Sequence, residues 1–258
     1  MKVSWYNRRM KAKAIIVANW KMHPQTAREA LQLFAATKKA VEKTKSITLV
    51  VAPPAIFLRD VSKGHRGRIA FAVQSARAEE EGAFTGSISM AQAKDARASY
   101  AIAGHAERRV AGESDADART QVAAALALGM TPILCVGEKE RGHDGAYFRL
   151  VRAQLRAALE GVKPAHIKKI IIAYEPVWAI GAPAPMSPRD MHEMAIFIRK
   201  SVVELFGQAA MDIRILYGGA IDDTTASAMM REGDVAGLLV GRASADAKEC
   251  AALLGILA

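Results

Sequence analysis

KIIIAYEPVWAIGAPAPMSP, residues 169–188, is the stretch from which the fold reading starts. An apolar, β-branched run ends at a carboxylate, Glu175, and about ten small, apolar and proline-rich residues follow before Ser187 and Pro188, a pair suited to starting a helix. The run lacks period-two alternation, so it suits a strand buried on both faces, as in a parallel sheet. A glutamate at the end of such a strand, with a flap behind it, is what proton-transfer chemistry needs. Pro183, Pro185 and Pro188 stiffen that flap.

Seven further runs of the same kind flank this one: AIIVAN (14–19), ITLVVAP (47–53), IAFAVQ (69–74), SYAIAG (99–104), PILCVGE (132–138), DIRILYGG (212–219) and VAGLLVG (235–241). Between most of them lie segments of helical spacing, such as TAREALQLFAATKKAVEK and PRDMHEMAIFIRKSVVELF. Eight strands alternating with helices in 258 residues is the count for a closed (β/α)₈ barrel. The competing architecture, an open doubly wound sheet, often has a glycine-rich turn after its first strand. Here that strand runs into Asn19-Trp20-Lys21 instead.

No low-complexity tract or Ser/Gly linker divides the chain, so a single barrel domain over residues 14–258 is expected, preceded by a basic extension, residues 1–13, with no apolar core of a secretory signal. Cys135 and Cys250 are too few and too far apart for a disulfide framework or a zinc site, which points to a reducing, cytoplasmic setting and no metal. No run of about eighteen apolar residues occurs, so no membrane partner is expected. The net charge of +10 favours anionic partners. With no zinc-finger, RRM or helix-turn-helix signature, a phosphorylated small molecule suits that charge better than nucleic acid.

In a barrel the chemistry sits at the carboxyl ends of the strands. Those ends carry Asn19 and Lys21, Gln74, His105 and Glu107, Glu138, Glu175, Gly218-Gly219 and Gly241. Singly, His105 reads as a helix cap, Glu175 as a solvated loop carboxylate and Lys21 as a surface lysine. Together they suit acid–base work on a phosphorylated molecule, because a proton α to a carbonyl yields to a carboxylate only where preorganised donors meet the enediolate charge and water is excluded.

The pieces ANWKM, GAFTG, GHAERR, LCVGE, AYEPVWAIG, YGG and LLVGRAS occur in an order and spacing that resemble the triosephosphate isomerase family over residues 14–254. The resemblance implies a TIM barrel that interconverts dihydroxyacetone phosphate and glyceraldehyde 3-phosphate through an enediolate, without a cofactor. It implies Glu175 as base, His105 as neutral electrophile, Lys21 and Asn19 as oxyanion donors, and Glu107 as the residue that holds Lys21. Phosphate would meet backbone amides of Gly181, Ala220, Gly241 and Arg242. The lid would comprise Pro176, Val177, Trp178, Ala179, Ile180, Ala182 and Pro183, with Tyr217 as a latch, and Thr85 would make a homodimer contact. Glu138, Arg108 and Arg109 read as structural ion-pair candidates, and Cys135 as a small core residue.

Departures from the family cluster where phosphate should bind. Ala182 and Pro183 replace Thr and Gly of the lid, Ala220 replaces the serine of YGGS, and Arg242 replaces a glycine. Ala106 and Ser87 replace the Ser of GHSERR and the Glu of GAFTGE. In the family that YGGS serine accepts a hydrogen bond from the lid amide matching Pro183. Proline has no N–H and Ala220 no hydroxyl, so both partners are lost together and neither is stranded. These changes keep two alternatives in view: an isomerase of another ketose phosphate, such as a tetrulose phosphate, and a silent barrel that binds a phosphorylated ligand.

Overall fold

In the computed structural model the described residues are 13–42, 44–142, 144–180 and 185–257. The extension expected over residues 1–13 therefore lies outside them, apart from Lys13. The chain forms strands Ala14–Asn19 (β1), Ile47–Ala52 (β2), Ala70–Val73 (β3), Tyr100–Ala103 (β4), Thr131–Val136 (β5), Ile171–Tyr174 (β6), Arg214–Tyr217 (β7) and Gly237–Val240 (β8). All pair in parallel, in chain order, and β8 returns to β1 to close a barrel. Seven of the apolar runs overshoot their strands by one or two residues at an end. At the carboxyl ends the overshoot includes the polar residues Gln74, Glu138 and Glu175.

Helices Ala27–Glu42 (α1), Ala55–Ser62 (α2), Met90–Asp95 (α3), Ala106–Val110 (α4), Asp115–Ala127 (α5), Ala146–Ala158 (α6), Pro188–Phe206 (α7), Asp223–Glu232 (α8) and Ala247–Ile256 (α9) lie between and after the strands. Several of their starts are chemically specified. Ser187 accepts from the Asp190 N–H with Pro188 in the first turn, as the sequence predicts, and Ser89 and Ser114 close capping boxes with Gln92 and Asp117.

Burial separates two layers. One cluster gathers alternate strand residues, among them Ile15, Val17, Val50, Ile133, Cys135, Ile171 and Leu216, and fills the barrel. The other joins the intervening strand residues, such as Ile16, Leu49, Leu134 and Ile172, to the helices. Strands buried on both sides account for the continuous apolar runs. Cys135 belongs to the inner cluster, and both cysteines are free and buried.

The closing seam is tight. Gly237 of β8 pairs with Ile15 of β1, and a Cβ on it would lie 1.8 Å from the Ile15 carbonyl oxygen. Gly237→Ala must therefore push β1 and β8 apart and is expected to cost about 3 kcal/mol or more in denaturant unfolding. Gly255→Ala, in α9 with open space around it, should instead hold stability or raise it by about 0.5 kcal/mol.

Candidate active site

Closure brings the ends of β1, β4, β6, β7 and β8 around one cavity of about 420 Å³, lined by Asn19, Lys21, His105, Glu107 and Glu175 on one side and by Ala220, Gly241 and Arg242 on the other. Asn19 is the last residue of β1 and is buried. Its Oδ1 accepts the Lys21 N–H at 3.1 Å, which leaves its amide Nδ2 3.4 Å from His105 Nε2. The Lys21 backbone is left-handed, with φ +54°, a conformation a lysine adopts only when its surroundings impose it. Gln74 supplies part of that restraint, since its Nε2 donates to the Lys21 carbonyl at 2.7 Å and to the Ala52 carbonyl at 2.9 Å. The Lys21 ammonium pairs with Glu107. Gly241 makes room for the lysine stem, because a Cβ there would lie 2.9 Å from Lys21 Cε.

His105 caps α4. Its Nδ1 accepts the Glu107 N–H at 3.2 Å, so in the neutral ring the proton sits on Nε2. That nitrogen faces Glu175 Oε1 at 3.0 Å, and Glu175 Oε2 accepts the Ala106 N–H at 2.9 Å. Glu175 is only 2% exposed. Its own N–H donates to the Val136 carbonyl at 2.8 Å, and Gly137 passes so close that a Cβ would lie 1.8 Å from the Glu175 carbonyl oxygen. The Cys135 thiol is pushed well up, first by burial and then by the charge and hydrogen bonding of Glu175.

The expectation of an ion pair for Glu138 is corrected. Among the described residues its buried carboxylate accepts hydrogen bonds instead, from the Tyr174 hydroxyl at 2.7 and 2.9 Å and from Trp178 Nε1 at 2.8 Å. Burial, then the Glu138 charge, raises the Tyr174 hydroxyl far out of its usual range, so it stays a donor. Arg108 pairs with Glu113 at 3.1 Å and Arg109 with Asp115 at 2.5 Å, as structural partners.

Pro176 and Ala179 are buried, Val177 and Trp178 half-buried, and Ile180 is exposed at the cavity; Val177–Ala179 form one 3₁₀ turn. Gly181, Ala182 and Pro183 lie outside the described residues. Burial raises the Tyr217 hydroxyl to about 12, with the Met186 backbone acting against the shift. Arg242 is exposed, at the start of a 3₁₀ turn, Arg242–Ala245, and is not among the left-handed residues, so replacing glycine there required no strained backbone. Thr85 stands in an exposed loop, away from the cavity lining. Two contributors went unread in the sequence: Gln74, visible only as a strand-end amide, and Glu113, whose carboxylate accepts the Gly104 N–H at 3.0 Å.

A barrel that gathers a carboxylate, an imidazole whose Nε2 faces it, an amide and an ammonium at its strand ends is an acid–base isomerase barrel. A family model described as Triosephosphate isomerase matches residues 14–257. The chain is 38% identical to the triosephosphate isomerase of Aquifex aeolicus, over 93% of this chain and 98% of that protein. It is 40% identical to that of Symbiobacterium thermophilum, over 93% and 94% respectively. The crystal structure of triosephosphate isomerase from Bartonella henselae superposes with a TM-score of 0.83 at 31% identity, over 95% of this chain and 98% of that one. The chain belongs to the triosephosphate isomerase family.

Gln74→Leu would leave the Lys21 carbonyl without the Gln74 donor, while the Ala52 carbonyl keeps the Trp20 N–H at 3.1 Å. Denaturant unfolding should show a loss of about 1–3 kcal/mol.

Proposed function

We propose that this chain interconverts dihydroxyacetone phosphate and D-glyceraldehyde 3-phosphate through an enediolate, without a cofactor, with residues 14–258 as the catalytic domain. The observation that carries this reading is the 3.0 Å approach of Glu175 to His105 Nε2 in the cavity that Lys21 also lines. The imidazole N–H donates to the carboxylate, and a substrate carbonyl oxygen competes for the same proton. When that oxygen takes the hydrogen bond, the carboxylate is released to abstract a proton from the adjacent carbon. Glu175 then returns the proton to the neighbouring carbon while His105 moves one between the two oxygens, so the enzyme ends as it began. Lys21 and Asn19 donate to the developing oxyanion from positions fixed beforehand, and Glu107 keeps the ammonium in place. Ala106 holds the base through its backbone N–H, which tolerates the loss of the family's serine hydroxyl.

The phosphate is assigned to the opposite wall, to the N–H groups of Ala220, Gly241 and Arg242, with Gly181 completing the set. An amide N–H survives a change of side chain, so the departures at 220 and 242 preserve this chemistry. The exposed Arg242 guanidinium adds positive charge at the rim. Pro176 to Ile180 begin the lid, and Tyr217, beside Met186, anchors its far side. The two free, buried cysteines suit a cytoplasmic setting. Among the described residues no helix is long and apolar enough to cross a membrane.

A homodimer is the second part of the proposal. A cavity of about 630 Å³ shares Asn19, Lys21, His105 and Glu107 with the first, and Ala55 and Ala111 also line it. Adjacent to Lys21, Ala55 and Ala111 in the chain are Met22, Ile56 and Val110, which are 88%, 78% and 68% exposed. An apolar rim around a polar hollow fits a second copy of the chain, whose exposed loop 82–87, bearing Phe84 and Thr85, would fill it.

A coupled assay on glyceraldehyde 3-phosphate should show rapid turnover, and negligible rate there with rapid turnover of a tetrulose phosphate would overturn the substrate assignment. Glu175→Asp withdraws the carboxylate by about an ångström and should lower kcat about 100-fold or more; near-wild-type kcat would remove Glu175 as base. Thr85→Arg should shift sedimentation to the monomer and lower kcat, whereas an unchanged dimer would dissociate Thr85 from the interface.

A further inference from the structure

The segment that carries Glu175 and the start of α7 meet at one side chain, Arg141, in the connection between β5 and α6. Its guanidinium lies 4.7 Å from the centroid of the Tyr147 ring and 5.9 Å from that of Trp178. Its Nη2 faces two carboxylates at the start of α7, Glu193 at 3.6 Å and Asp190 at 4.0 Å. The arginine side chain is only 17% exposed, and its Nη1 is buried without an acceptor among the described residues. At the indole nitrogen, Trp178 Nε1 donates to Glu138, and the Val177 N–H donates to the Glu138 carbonyl at 3.0 Å. Glu175 lies two residues before Val177 and donates to Val136.

Ion pairs of this length to carboxylates that are 47% and 58% exposed contribute little to stability. Burying most of a guanidinium for so small a return points to geometry as its use. A planar, delocalised cation can lie against aromatic faces and meet carboxylates at its edge simultaneously, which an ammonium cannot do.

We propose that Arg141 is a positioning residue for the isomerisation: it braces Trp178 against Glu138 and ties it to the start of α7, so that the Glu175 segment holds one geometry. The proposal rests on the reading of Glu175 as the base. Among the described residues Arg141 touches no group that lines the reacting cavity, so its effect on turnover must pass through Trp178 and the backbone from 175 to 178. Loss of the brace leaves the base able to occupy positions displaced from the reacting carbon, and displacements of about an ångström cost rate.

The test uses Arg141→Met, which keeps the stem and removes the cation, and Arg141→Lys, which keeps the charge and removes the plane. Steady-state kinetics are read beside the indole N–H resonance of Trp178, assigned with Trp178→Phe. Arg141→Met should lower kcat about tenfold, with a smaller change in KM, and should shift the Trp178 resonance. Arg141→Lys should regain melting temperature without regaining kcat. Wild-type kcat and an unmoved indole resonance in both variants would overturn the proposal. So would a rate loss that only tracks the unfolded fraction while the resonance of the folded protein stays put. A wild-type protein inactive on triose phosphates would defeat the proposed reaction instead, whereas the indole resonance still decides the brace.

Discussion

The closing contact between β1 and β8 is the constraint on which the rest of the molecule depends. Asn19 and Lys21 leave the end of β1, while Gly241 and Arg242 leave the end of β8. Only the pairing of Ile15 with Gly237, and of the residues above it, sets these two groups beside each other. The seam admits no side chain at 237, so the close approach is written into the sequence as a glycine. Without closure, the amide and ammonium of the first strand and the amides of the last that we assign to phosphate would lie at opposite edges of an open sheet.

Strain at Lys21 is the second level of the same logic. Its left-handed backbone is held at both ends of one residue, the N–H by Asn19 and the carbonyl by Gln74, and its ammonium is held by Glu107. Three anchors from three strand ends over-determine one residue, which is how an unfavourable conformation persists. The arrangement trades local ease for a fixed cation, and in the role we propose for Lys21 a fixed cation needs no reorganisation when negative charge develops beside it.

Much of this was legible in the sequence, for physical reasons that can be named. Strands buried on both faces leave continuous apolar runs, so their number and order could be read, and the carboxylate after KIIIAY marked a strand end. Asn19, Lys21, His105 and Glu175 could be grouped because the barrel topology forces strand ends to converge. The role of Gln74 could not be read, since an amide at a strand end carries no sign of the carbonyls it will meet. Glu138 was expected to make an ion pair, whereas among the described residues its buried carboxylate accepts from neutral donors, Tyr174 and Trp178. Arg242 resisted reading for a different reason: its backbone fits a 3₁₀ turn, so the change from glycine is locally cheap and leaves no trace of its purpose.

Residues 105–107 divide four duties among three neighbours. His105 offers Nε2 to the cavity, the Ala106 N–H restrains Glu175, and the Glu107 carboxylate holds Lys21 while its own N–H fixes the imidazole. Because each duty depends on an adjacent step of one helical turn, an insertion or deletion of a single codon at this junction would disturb all of them together. Exchanges of the side chain at 106 leave its amide in place. Length is therefore the protected property here and the identity of the middle residue the negotiable one, the opposite of what is usual in a surface loop.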